Sequence, residues 1–229
     1  MIGLLLLAVV PRLTAAEFQS NWMAQHDRVW IGPEYWANPM EDWRLREGVL
    51  ECTRAGADRN LQLLTHQLSA EDAAFELSVH LGTQDVQQGQ GSAGFAIGIR
   101  SELGDYRSAL IHGRPAIEAG VNVNGLYFLG PPGQHVTLQA EVPNGNEGSI
   151  LRLTGTPKGQ GEYELTLLAT DFQTGKVRGG PLTLTHKFES GLAGNVAARQ
   201  QLRGDEGPLH RHPRTSKGVR PASGSMTGG

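Results

Sequence analysis

Cysteine is almost absent from this sequence of 229 residues, which contains only Cys52. A single cysteine excludes an intrachain disulfide. Its alternation with Leu50 in the segment GVLECT predicts a buried and inert thiol. The sequence also lacks a large excess of either charge. Its 20 lysines and arginines nearly balance its 23 aspartates and glutamates, so the formal net charge is only −3. This balance predicts neither nucleic acid nor an anionic membrane as a partner.

Long hydrophobic runs are also missing. The N-terminal apolar run covers residues 2–10, whereas a membrane-spanning helix needs about 20 residues. Pro11 and then Thr14-Ala15-Ala16 follow it, and small residues at these positions suit signal peptidase cleavage after Ala16. We therefore predict a signal peptide over residues 1–16 and a periplasmic or extracellular location, with an N-terminal core strand as the alternative.

Glycine and proline are plentiful, with 31 and 12 residues, which favours many short strands joined by tight turns. The pattern is clearest over residues 91–113, where Phe95, Ile97 and Ile99 alternate with small or polar residues. A turn at 101–105 and a second strand at 106–112 are predicted to complete a hairpin. Similar segments and turns recur along the chain. They predict an all-β protein: an antiparallel β-sandwich or jelly roll of about a dozen short strands.

The C-terminal segment differs in composition from the rest. Residues 199–229 carry six lysines and arginines against two acidic residues and few large apolar side chains. Such a segment cannot bury enough surface to offset its chain entropy. We predict a sandwich domain over 17–198 and a disordered basic tail over 199–229.

No catalytic constellation stands out. The sequence has no nucleophile elbow, phosphate loop or zinc-protease motif. Glu162 and Glu164 lie two residues apart on one predicted strand face, which is typical of a solvated surface. His210 and His212 have no third ligand placed to finish a metal site. We therefore predict neither catalytic residues nor metal ligands.

Two groups of residues are candidates for binding a ligand. All four tryptophans fall within residues 18–48, together with Tyr35. They suit either core packing or a platform for sugars or an interface, and Trp30, Tyr35 and Trp36 are the candidates. The second group surrounds the predicted hairpin, and its arginine, tyrosine and histidine side chains suit sugars, carboxylates or phosphates. An alternative is that they are ordinary edge and loop residues. This group consists of Arg100, Tyr106, Arg107, His112 and Arg114.

Five segments carry a resemblance to a known family: DWRLREGVLECT, RNLQLLTHQLS, GSAGFAIGIR, YRSALIHG and GLAGNVA. They resemble a β-sandwich module of the concanavalin/laminin-G-like class, in particular the domain that precedes the metallophosphatase core of exported PhoD-type alkaline phosphatases. DWRLREGVLE also resembles the start of 3-keto-disaccharide hydrolase-like sandwiches. The resemblance covers residues 21–198. It implies an accessory module, because the metal-binding residues of a phosphatase do not occur in the sequence.

In similar proteins an aromatic closing strand follows the GLAGNVA segment. Its replacement by a basic sequence suggests a frameshift or truncation near Ala198. Calcium is common in laminin-G-like sandwiches, but no ligands are assigned to it here, and no other cofactor is predicted.

These observations favour an exported, non-catalytic accessory or binding module. Its candidate partners are a glycan or cell-surface ligand and a phosphatase domain to which it was formerly attached. A jelly-roll sugar hydrolase, or a fragment of a PhoD-like phosphatase, is the alternative.

Overall fold

The computed structural model describes residues 17–54, 59–69, 72–82, 90–100, 114–140, 148–189, 192 and 195–203. Within them the chain forms strands and one short 3-10 turn at Met40–Asp42, and no helix there is long and apolar enough to span a bilayer. The strands are β1 (Tyr35–Asn38), β2 (Trp43–Arg46), β3 (Val49–Cys52), β4 (Arg59–Leu63), β5 (Phe75–Leu81), β6 (Gln90–Ile99), β7 (Ile117–Asn122), β8 (Leu126–Gly130), β9 (Val136–Gln139), β10 (Ser149–Gly159), β11 (Glu162–Asp171), β12 (Val177–Lys187) and β13 (Asn195–Arg203).

Three antiparallel sheets result from these strands. The largest has seven strands in the order β1-β4-β13-β6-β7-β8-β9, and a four-stranded sheet has the order β12-β11-β10-β5. β2 and β3 form a separate ribbon. The seven- and four-stranded sheets pack face to face through one apolar core. The predicted all-β antiparallel sandwich is therefore confirmed.

β6 lies at the centre of the seven-stranded sheet. Phe95 and Ile97 point into the core, as their alternation predicts. Gly98 then adopts a φ of 65°, which favours glycine, and the pairing register with β13 shifts there. Ile99 consequently lies beside Ala96, outside the main core. The predicted hairpin partner at 106–112 falls outside the described residues, and β7 and β13 pair with the two edges of β6.

The main core follows from period-two alternation in the long strands β10 and β11. Leu151 and Leu153 on β10, and Leu165 and Leu167 on β11, are 0–1% exposed. They pack against the inward residues of β6, β7 and β8. The intervening residues on β10 and β11 face solvent, because neighbouring side chains of a strand point to opposite faces.

A second core lies under the other end of the seven-stranded sheet, where the β2–β3 ribbon takes the place of the four-stranded sheet. Tyr35, Ala37 and Leu61 pack there against Trp43 and Ile31. Trp22, Phe18, Leu50 and Cys52 are partly buried against this cluster. Cys52 is half-buried rather than fully buried, and burial raises the pKa of its thiol.

The end of the sandwich differs from the predicted boundary at residue 198. β13 continues to Arg203, between β4 and β6. A strand in this position is stabilised by backbone hydrogen bonds at both edges, which its polar composition does not reveal. The closing strand therefore begins within the GLAGNVA segment, at Asn195, and contains no aromatic residue. The rest of the predicted tail, at 204–229, and the predicted signal peptide lie outside the described residues.

Asp171 holds the turn between β11 and β12. Its Oδ1 atom accepts hydrogen bonds from the Gln173 and Thr174 amides, at 3.0 and 2.6 Å, and from the Thr174 hydroxyl at 2.8 Å. Its Oδ2 atom accepts one from Arg178 Nε at 2.8 Å. These hydrogen bonds hold the pKa of Asp171 well below its usual range, and the bond from the Thr174 amide has the largest effect.

This low pKa predicts how stability depends on pH. The charged carboxylate stabilises the fold above its unfolded pKa of about 3.9, and the stabilisation is lost progressively as the pH falls below that value. We expect Asp171→Asn to have a lower melting temperature than the wild type at pH 7. The difference between the two melting temperatures should narrow as the pH falls below about 4. Calorimetry across pH 2–7 would measure this, and a gap that stays constant to pH 2 would contradict it.

Candidate functional site

The face of the seven-stranded sheet that points away from the core is lined by small and polar side chains. The pairing registers place alternate residues of each strand on this outer face. The core face carries leucine, isoleucine and tyrosine, whereas this face carries amides, glycines, one carboxylate and an aromatic residue near each end. The described residues on it include Trp36, Asn38, Asn60, Gln62, Ser92, Gly94, Ala96, Glu118, Gly120, Asn122, Leu126, Phe128, Gly130, Thr137 and Gln139.

A shallow cleft lies on this face over β6, β7 and β8. Its lining includes Ser92, Gly94, Glu118 and Phe128. A Cβ atom on Gly120 would stand 2.8 Å from Phe128 Cζ, and one on Gly94 would stand 2.1 Å from the Ala119 carbonyl oxygen. Both positions therefore need glycine, and the floor of the cleft beside the Phe128 ring is backbone.

Glu118 is the charged residue in the lining of the cleft. Its side chain is 13% exposed, and its Oε2 atom lies 3.3 Å from His135 Nε2. The His135 ring in turn lies 5.1 Å from the Phe128 ring, measured between centroids. An acceptor carboxylate, an imidazole and an aromatic ring thus meet within one patch, a combination that suits a ligand with both hydroxyl groups and an apolar face.

Trp36 marks the other end of the outer face, on the edge strand β1. Its neighbour β4 brings Gln62 opposite it, and Gln62 is 2% exposed although it is polar. Gln62 Nε2 donates to Asn60 Oδ1 at 3.4 Å. The indole Nε1 atom of Trp36 is buried without a hydrogen-bond partner, which is unusual for a buried donor.

The structure separates the three aromatic residues that the sequence groups together. Trp36 lies on the outer face, whereas Tyr35 is buried in the second core, where its hydroxyl forms a hydrogen bond with Ser20. Burial is the main cause that raises the pKa of Tyr35. Trp30 is 50% exposed and lies under the Arg28 guanidinium, 5.5 Å from the ring centroid. Only Trp36 therefore joins the outer face.

The second predicted group is only partly described. Arg100 and Arg114 face each other across an isolated antiparallel bridge just beyond the end of β6. Tyr106, Arg107 and His112 lie outside the described residues. The ligand roles predicted for Arg100, Arg114 and Trp30 stay predictions.

The other motifs that fall on described residues lie on the four-stranded sheet or in the core, and His210 and His212 lie outside the described residues. Glu164 forms an ion pair with Lys158 at 3.0 Å on the partly solvated face of β11, and Glu162 is exposed. Trp43 is 7% exposed in the second core. Among the described residues no group of three or more histidine, cysteine or acidic side chains could hold a metal ion.

Sequence reasoning missed Glu118, Phe128, Gln62 and His135. A local signal existed for two of them, because alternation in β7 and β8 sets Glu118 and Phe128 opposite the apolar residues of each strand. Their convergence depends on the pairing of β6, β7 and β8, which alternation does not reveal. His135 lies just before β9, and alternation in its own segment does not indicate its approach to Glu118.

Comparison with known proteins gives distant structural neighbours. No protein-family model matches the chain, and no curated protein does. A mutant of the Emp46p carbohydrate recognition domain is 13% identical, with a TM-score of 0.48 over 80% of this chain and 87% of that chain. The Emp47p carbohydrate recognition domain is 14% identical, with a TM-score of 0.42 over 79% and 85%. Similarities this distant carry no argument about the ligand of this chain.

Proposed function

We propose that this chain is an exported, non-catalytic β-sandwich module that binds a glycan on the outer face of its seven-stranded sheet. The observation that carries the proposal is the cleft over β6, β7 and β8, in which Glu118 stands beside the Phe128 ring above a floor of backbone. Export rests on the predicted signal peptide. Attachment to a phosphatase domain rests only on the resemblance of the sequence.

The chemistry of this face suits sugars better than other ligands. A sugar ring has hydroxyl groups that donate to carboxylates and exchange hydrogen bonds with amides, and it has apolar C–H faces that pack on aromatic rings. Glu118 provides a largely buried acceptor, and Asn38 and Asn60 provide amides. Phe128 and Trp36 provide the aromatic rings.

The dimensions of the face favour an oligosaccharide. Neighbouring strands lie about 4.8 Å apart, so the five steps from β1 to β8 span about 24 Å. Trp36 lies at one end of this span and Phe128 at the other. A ligand that contacts both is longer than one sugar residue.

Binding measurements on the full chain with three variants would test the proposal. We expect Glu118→Gln, Phe128→Ala and Trp36→Ala each to weaken binding of a ligand found on a glycan array by about tenfold or more, the effect of losing about 1.4 kcal/mol. Phe172→Ala is the matched control, because Phe172 is an aromatic residue, 53% exposed, that follows β11. Titration calorimetry would measure the affinities.

Two outcomes would overturn the proposal. Equal affinity of the wild type and all three variants would remove the outer face from binding. Hydrolysis of a chromogenic glycoside or phosphate ester, lost in Glu118→Gln, would instead support the alternative of a sugar hydrolase or a phosphatase fragment.

A further inference from the structure

β9 forms one edge of the seven-stranded sheet, and all four of its residues are exposed. The other edge strands of the two large sheets are protected. β1 is buried at alternate residues, β5 carries Glu76, and β12 carries Pro181 and charged side chains. Burial, charge and proline each hinder the addition of a further strand. Among the edge strands that the structure describes in these two sheets, β9 alone is exposed throughout and has neither a charge nor a proline.

The hydrogen bonds of β9 show which of its backbone groups point to the edge. The Ala140 amide donates to the Gly125 carbonyl at 3.0 Å, and the register of β8 with β9 continues from this pair. Hydrogen-bonded and non-hydrogen-bonded pairs alternate along an antiparallel ladder. Leu138 therefore bonds to β8, whereas the amides and carbonyls of Thr137 and Gln139 point away from β8, towards the open edge.

The core-facing side chains of β9 are also incompletely covered. Val136 and Leu138 lie opposite Leu129 and Tyr127, which are buried in the main core. Val136 and Leu138 themselves are 37% and 38% exposed. The apolar core thus reaches the same edge as the outward-pointing backbone groups, and a strand added there would cover both.

We propose that β9 pairs with β9 of a second copy of this chain, antiparallel and about a two-fold axis at Leu138. In this register Thr137 lies opposite Gln139 of the second copy, so the outward amides and carbonyls form two hydrogen-bonded pairs. Leu138 meets its own copy in the non-hydrogen-bonded pair between them, with Cα atoms about 4.5 Å apart. A two-fold contact of this kind uses the same patch on both copies.

The sequence of β9 supports its own copy as the partner. Val136-Thr137-Leu138-Gln139 contains no charge, so self-pairing places no like charges opposite each other. The same register satisfies the outward backbone groups and joins the two apolar rims. The pairing would extend the outer face across both copies, but it does not depend on glycan binding there.

Sedimentation velocity on the full chain would test the pairing. Protein concentrations from about 10 μM to about 1 mM suit the weak association expected of an interface below about 1,200 Å². We expect a reversible monomer–dimer equilibrium in the wild type. Leu138→Lys and Leu138→Glu should each weaken it at least tenfold, because each places like charges at the axis. A mixture of the two variants should dimerise again, because opposite charges then meet.

Two further variants complete the experiment. Val49→Lys is the matched control, because Val49 is an apolar residue, 52% exposed, on the separate β2–β3 ribbon, and it should dimerise like the wild type. Leu138→Cys in a Cys52→Ser background should form a disulfide-linked dimer on oxidation, since the expected Cα separation suits a disulfide. Thr137→Cys should not, because that residue faces Gln139 of the second copy.

Three outcomes would overturn the proposal. One is a wild type that stays monomeric at every concentration, in which case the edge fits a strand of a different protein instead. The second is a mixture of the lysine and glutamate variants that stays monomeric while Leu138→Cys forms no disulfide-linked dimer. The third is a dimer that Leu138→Lys leaves unchanged.

Discussion

Replacing Leu153 by alanine should lower the free energy of unfolding by about 3–4 kcal/mol, a loss typical of a leucine truncated in a well-packed core. Leu153 is 0% exposed in the interior of β10. Its pairing registers place it between Leu167 on β11 and Leu77 on β5. Strands paired on both sides cannot close easily around the cavity, so the cost includes the cavity as well as the lost burial.

Leu64→Ala is the matched control for this prediction, because Leu64 is 42% exposed. We expect it to cost less than about 1 kcal/mol, since the change removes little buried surface. Urea denaturation of both variants would measure the difference. Equal midpoints for the two variants would contradict the assignment of Leu153 to the core between the sheets.

Replacing Asp42 by asparagine should cost about 3 kcal/mol of stability, because it removes one partner of a buried ion pair and leaves the other partner's charge uncompensated. Asp42 is 2% exposed. Its Oδ2 atom lies 2.8 Å from Arg59 Nη2 and 3.0 Å from Arg59 Nε. The more exposed Arg54 approaches the other carboxylate oxygen at 3.6 Å. The pair ties the 3-10 turn to β4, beside the second core.

Glu76→Gln tests whether burial sets the size of this effect. Glu76 and Arg152 lie 3.4 Å apart, and their side chains are 55% and 53% exposed. Exposed pairs contribute about 0–1 kcal/mol, so Glu76→Gln should shift the urea midpoint much less than Asp42→Asn. Comparable shifts for the two variants would show that the Asp42 pair contributes no more than a surface ion pair.

The sandwich could be predicted because its main signal is local. Alternation in β6, β10 and β11 marks which side chains point inward, and frequent turn residues limit strand length. Tyr163 and Leu165, predicted to point inward, are 1% and 0% exposed. Such patterns depend only on the two-residue period of a strand, which every strand shares.

The second core and the last strand could not be predicted in the same way. Trp43 and Tyr35 are buried because a separate ribbon covers the end of a sheet, and no local pattern encodes that cover. β13 looks like the start of a basic tail, because composition counts charges but not backbone pairing at two strand edges. The physical cause is the same in both cases, namely partners that are distant in sequence.

The candidate site was likewise predictable in part from local sequence and in part not. By itself the sequence determined the all-β class and the alternating faces of the strands, because these follow from backbone geometry and side-chain period. Only the tertiary structure decided which face became the polar one of the seven-stranded sheet, and which residues met there. Trp36 joined that face while Tyr35 did not, and Glu118 met Phe128 and His135, because strand order and register bring distant segments together.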